Sequence, residues 1–150
     1  MPPKGTGGER VRTVEHEGRR YLLVKQSADS SLVRDPTTGE ERYLPTDELS
    51  VTGESPLEVA AASVPEAPRR VLTAVRDERT LGVLVELEER GPLSVREVLG
   101  AYDLCESDLH GVVGELRAAG LVTETEVDGE RGYGTTALAS EGLASLRSSE

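Results

Sequence analysis

The chain has no phenylalanine, no tryptophan, one cysteine, one methionine and two histidines among its 150 residues, and its only lysines are Lys4 and Lys25. A lone Cys105 excludes an intramolecular disulfide and points to a reducing compartment. Cys105, His16 and His110 are too few and too scattered for a zinc site, so no metal is expected. The opening MPPKGTGGER carries no apolar core, and no run approaches the length of a membrane span, so the expectation is a cytoplasmic protein without a membrane partner. Gly5-Thr6-Gly7-Gly8 lacks the strand and helix that a phosphate-binding loop requires. No Ser/His/Asp order falls in a readable motif, and the many carboxylates read as solvated surface rather than a tuned acid and base. Neither an enzyme nor a cofactor is expected.

What the chain does contain is acid: 28 Asp and Glu against 17 Lys and Arg, for a net charge of −11. With 30% charged and 36% apolar residues it should fold and stay soluble, as one domain or as two small ones. The abundance of carboxylates and the preference for arginine over lysine resemble proteins of extreme halophiles, such as halophilic archaea, in which acidic surfaces hold water. An ordinary acidic protein is the other reading. In molar salt the Debye length shrinks to about 3 Å, and counterion release drives DNA affinity less as salt rises. An acidic balance therefore does not exclude nucleic acid, although in dilute buffer like charge would oppose it.

Residues 1–9, rich in Pro and Gly, are expected to be a disordered tail. Residues 10–50 read as a small antiparallel sheet. Val11–His16 and Tyr21–Lys25 flank the turn Glu17-Gly18, while Ser31–Arg34 and Glu41–Leu44 flank Asp35-Pro-Thr-Thr-Gly39. Leu22, Val24, Leu32, Val33 and Leu44 are the core candidates. Residues 51–66 read as an ordered linker with one short helix, Pro56–Ser63, which Ser55 and Pro56 would start.

Residues 67–147 carry helical periodicity. Pro68 opens a helix with Val71, Leu72 and Val75, and a break at Asp77–Thr80 leads to a second, with Leu81, Leu84 and Leu87, that Gly91-Pro92 stops. Ser94 caps a short helix, with Glu97 in the capping-box position. After the turn Asp103-Leu104-Cys105, a helix over Glu106–Ala119 places Leu109, Val112, Val113 and Leu116 on one stripe and ends at Gly120. Asp128-Gly129 joins Val122–Val127 to Arg131–Ala137 as a hairpin. A last helix is expected over Ser140–Leu146.

Four segments, Asp77-Glu78-Arg79-Thr80-Leu81, Gly91-Pro92-Leu93-Ser94-Val95, Leu104-Cys105-Glu106-Ser107 and Ala119-Gly120-Leu121-Val122, together with Ser140-Glu141-Gly142, resemble winged helix-turn-helix transcription regulators of the ArsR and MarR type. The fold class this implies is α+β, a small N-terminal antiparallel sheet followed by a winged helix-turn-helix domain. In that family the helix after the turn enters the major groove and the wing touches phosphates or the minor groove. The resemblance thus assigns double-stranded DNA to Ser107, Asp108, His110, Gly111, Gly114 and Arg117 on the helix and to Arg131 and Tyr133 on the wing, in a homodimeric protein.

The sequence departs from the family's basic recognition helix: Asp108 and Glu115 repel phosphate, and Gly111 and Gly114 supply no side chain. Such a smooth face also fits a protein partner, the alternative function. Arg69, Arg70, Arg76 and Arg79 are candidate phosphate contacts, with Arg69, Arg76 and Arg79 expected on one side of the first helix. A solvated face paired with Glu66, Asp77 and Glu78 is the other reading. Cys105, at a helix start that lowers a thiol pKa, is either reactive or an inert turn residue.

Overall fold

The turn signals of the first half act where the sequence places them. In the computed structural model, which describes residues 10–148, Glu17 and Gly18 both take left-handed φ, 52° and 80°, and close β1 (Arg12–His16) onto β2 (Arg19–Lys25). That pair of positive φ values is the turn that matches strand twist. Between β3 (Ser30–Arg34) and β4 (Glu41–Pro45), the Asp35 carboxylate accepts from the Thr37 amide at 2.8 Å, while Gly39 supplies φ 79°. The tail expected over residues 1–9 lies outside the described residues.

The strands form an antiparallel sheet in the order β4-β3-β2-β1-β5. The fifth strand, β5 (Ser50–Val51), was not expected: one turn of 3-10 helix over Thr46–Glu48 returns the chain to pair Val51 with Val14. Ser55 accepts from the Glu58 amide and starts α1 (Pro56–Ala61), which lies against β1 and β2. The segment read as a linker therefore begins with the last residue of β5, and its expected helix lies against the sheet. The chain divides into two units between Val64 and Pro65.

The core face of the sheet is Val14, Tyr21, Leu23, Val33 and Leu44, with Leu49 packed against it. Val33 and Leu44 were expected there, whereas Leu22 is buried on the opposite face, across from Thr13, and Val24 and Leu32 are half-buried. Side chains alternate along a strand, so reading β2 one residue out of step exchanges its faces.

In the second unit, caps decide the boundaries. The Asp77 carboxylate accepts from the Thr80 amide at 2.8 Å and starts α3 (Glu78–Arg90). Ahead of it, α2 (Glu66–Ala74) begins at Glu66, with Pro68 inside its first turn, and ends where Val75 turns extended. Ser94 and Glu97 make the expected reciprocal capping box, at 3.0 and 2.8 Å, at the start of α4 (Val95–Ala101). Gly91 and Gly120, both at φ 79°, end α3 and α5 (Glu106–Ala118).

Asp128 and Gly129, at φ 52° and 79°, close the hairpin of β7 (Val122–Val127) and β8 (Glu130–Thr135), and β6 (Leu93–Ser94) pairs with β8. The last helix, α6 (Ala137–Arg147), starts before the expected Ser140 because the Thr136 hydroxyl accepts from the Ala139 amide and takes the cap. Leu84, Leu87, Leu109, Val113, Leu116, Leu121 and Leu143 centre the core of this unit. The described residues are thus α+β, with an antiparallel N-terminal sheet and six helices, none long and apolar enough to cross a membrane.

Candidate nucleic-acid interface

The apolar stripe of α5 points inward as its spacing requires: Leu109, Val113 and Leu116 are buried and Val112 is half-buried. By helical geometry the remaining residues face away, and Ser107, Asp108, His110, Gly111, Gly114 and Arg117 are all exposed. A Cβ added at Gly111 or Gly114 would meet no heavy atom within 4 Å. Neither glycine is therefore required by the fold of this unit. Cys105 is the N-cap of α5, its exposed sulfur accepting from the Asp108 amide at 3.4 Å.

The hairpin brings its two expected residues together beside this helix. Arg131 donates to the Tyr133 hydroxyl at 2.9 Å and lies over its ring, 5.9 Å from the centroid. That bond, followed by the charge of Glu124, raises the Arg131 pKa further, so the guanidinium stays charged at any working pH. Val95, Glu106, Leu109, His110, Arg131 and Tyr133 line a hollow of about 50 Å³ where α4, α5 and β8 meet, so His110 adjoins the hairpin pair.

Glu124, which was not singled out from the sequence, connects the two elements. Its Oε1 is 3.5 Å from Nη1 of Arg117 on α5, and its Oε2 is 3.3 Å from Nε of Arg131 on β8. The signal available was its place in β7 across from Tyr133, with the hairpin register set by Asp128-Gly129.

The arginine cluster is arranged differently from expectation. Because α2 and α3 are separate helices, Arg69, Arg76 and Arg79 do not share one helical face: Arg69 lies on α2, Arg76 in the connection and Arg79 on α3. Arg70 donates to the Ala119 carbonyl at 2.8 Å, at the end of α5, and pairs with Glu66 at 3.2 Å. Arg76 pairs with Glu115 at 2.9 Å. Arg79 donates to the Asp103 carbonyl at 2.9 Å and lies 3.7 Å from the Asp108 carboxylate. Of the partners expected for a solvated face, Glu66 pairs with Arg70 and Asp77 feels the charges of Arg76 and Arg79, while two of the three acids of α5, Asp108 and Glu115, face an arginine from elsewhere in the unit. Coulomb attraction at these exposed pairs offsets part of the repulsion that α5 would present to an anion.

Among the described residues no three His, Cys, Asp or Glu side chains are grouped to hold a metal ion. A separate apolar cavity of about 330 Å³ lies between α3 and α4, lined by Gly82, Val83, Leu87, Val98 and Leu104 among others.

These features define an α+β chain whose second unit exposes α5 beside an acidic hairpin that carries the pair of Arg131 and Tyr133. The chain belongs to a family of unknown function, DUF7346, which matches residues 11–147 and so takes in both units. No curated protein and no solved structure matches it.

Proposed function

We propose that residues 67–147 form a winged helix-turn-helix domain of the ArsR and MarR type, and that the chain is a non-enzymatic, homodimeric transcription regulator that binds duplex DNA. In this reading α4 and α5 are the helix-turn-helix, α5 enters the major groove, and β7 and β8 are the wing. The observation that carries it is the juxtaposition of the exposed face of α5 with Arg131 and Tyr133, joined through Glu124. The neutralisation of Asp108 and Glu115 by Arg79 and Arg76 supports the same reading, since it lowers the cost of bringing α5 to phosphates. Arg76 and Arg79 can also position the domain without reading sequence, by exchanging those carboxylates for phosphates.

A mobility-shift series on the full chain with duplex DNA, run up to multimolar potassium chloride, tests this. Duplex should be retained, and Arg117→Glu should abolish retention. Loss only in the double variant Arg76→Glu, Arg79→Glu would move the contact away from α5. Absence of duplex binding at every salt concentration overturns the proposal, and light scattering checks the dimer.

The open space in front of Gly111 and Gly114 favours a second reading, in which the α5 face docks on another protein and DNA is not bound. Each interior glycine costs a helix about 1 kcal/mol relative to alanine, so a smooth face is retained at some expense. Replacing both by alanine should stabilise the free protein by up to about 1 kcal/mol per site. Under this reading the larger Gly111→Leu, Gly114→Leu pair abolishes a protein complex, and duplex is never retained.

A further inference from the structure

We infer that Glu124 is an internal stand-in for a DNA phosphate: it holds Arg117 and Arg131 in the free protein and is displaced when duplex binds. The inference rests on the duplex-binding reading above and concerns its regulation. A carboxylate and a phosphate diester both present two anionic oxygens that can be shared between guanidinium groups. In Glu124 each oxygen faces a different arginine, one from α5 at 3.5 Å and one from β8 at 3.3 Å. A single acidic side chain thereby lies between the guanidinium groups of the helix and the hairpin. All three side chains remain 43–54% exposed, so the pairs are accessible to a competing anion and weakly held by comparison with buried ones. Tyr133, bonded to Arg131 at 2.9 Å, keeps that guanidinium in place when the carboxylate leaves.

Duplex binding is then an exchange. Each phosphate neutralised by an arginine releases condensed cations from the DNA, about 0.9 per contact. The freed Glu124 carboxylate regains a cation atmosphere and takes part of that release back. Wild-type protein should therefore show a shallower fall of affinity with salt than its count of phosphate contacts implies.

Glu124→Gln keeps the size and shape of the side chain while removing the competing charge. It should raise duplex affinity about tenfold and steepen the slope of log affinity against log salt by a fraction of the roughly 0.9 that one phosphate contact contributes. Asp128→Asn serves as the control, because it removes one charge from the same hairpin and suits the left-handed turn position, φ 52°, without releasing an arginine. It should change affinity less and leave the slope close to that of wild type. Binding by Glu124→Gln where wild type binds too weakly to detect also supports the inference. If wild type binds duplex and Glu124→Gln matches it in affinity and slope, or is matched by Asp128→Asn in both, the inference is overturned while the function stands. If neither wild type nor Glu124→Gln binds duplex at any salt, both fall.

Discussion

The two units satisfy their polar groups by different routes. In the helical unit, α3 to α6 each begin with a side chain that accepts a backbone amide three residues ahead: Asp77 from Thr80, Ser94 from Glu97, Cys105 from Asp108 and Thr136 from Ala139. The sheet unit has local bonds too, at Asp35 and Ser55, but its buried polar side chains meet partners far along the chain. His16, only 8% exposed, meets Glu48 at 2.9 Å, and the buried Ser31 hydroxyl meets that of Thr46 at 2.7 Å, which in turn donates to the Ser27 carbonyl. Local capping starts each helix by itself, and the helices are then joined by apolar contact and by bonds such as those of Glu88 to Thr135 and Ser140. Non-local pairing makes each strand depend on the register of its neighbours.

That contrast breaks most sharply where helices touch. Gly142 on α6 sits against α2, and a Cβ there would lie 2.5 Å from the Ala67 carbonyl oxygen and 2.8 Å from a Val71 methyl. Gly142→Ala should destabilise the helical unit by about 2–3 kcal/mol, read as an earlier loss of helical circular dichroism on heating, with the amide resonances of β1 to β4 unmoved. An unchanged melting profile would show that this close approach is not a constraint.

The sheet offers the opposite sign. Thr13 is 1% exposed, and its hydroxyl has no hydrogen-bond partner among the described residues. A buried unpaired hydroxyl is costly, so Thr13→Val, similar in shape, should stabilise the sheet unit by about 1 kcal/mol in chemical denaturation. A loss of stability instead would mean that the hydroxyl has a partner in solution.

Acid should sharpen the comparison by the smallest margin. Three carboxyls of the helical unit are held below the ordinary carboxylate range: Asp77 by the Thr80 amide, Glu88 by the hydroxyls of Thr135 and Ser140, and Glu97 by the Ser94 amide. A carboxyl lowered on folding contributes stability that is complete above its unfolded pKa and is lost as pH falls through the folded one. The loss therefore begins below about pH 4 and should appear first at the helix starts and at the contact of α3 with β8 and α6, with Glu88→Gln removing part of it. Because all three groups lie near solvent, the shift in melting temperature should be modest. A pH titration of amide resonances checks the order of events.

Legibility followed the same division. The capping box at Ser94, the stops at Gly91 and Gly120 and the Asp128-Gly129 hairpin are signals contained within four residues, and each acts where it was read. The faces of β2 were misassigned because Tyr21-Leu22-Leu23-Val24 is apolar on both sides, so alternation alone could not say which side met the core. β5, two residues long, has no periodicity to read at all. For the candidate interface, spacing showed which stripe of α5 turns inward, while the residues of its outer face and of the hairpin were singled out by the resemblance. Their ion-pair partners were not, since Arg76 with Glu115 and Arg117 with Glu124 join different elements.

By itself, then, the sequence determined the helices and the hairpin of the helical unit, though not β6 or the start of α6, together with the turns of the sheet and the stripe that turns α5 inward, because backbone conformation and capping are settled between near neighbours. Tertiary structure alone decided which face of β2 is core, that Gly142 must lack a side chain, and that Glu124 stands between Arg117 and Arg131. Those depend on distances through space, which no spacing along the chain encodes.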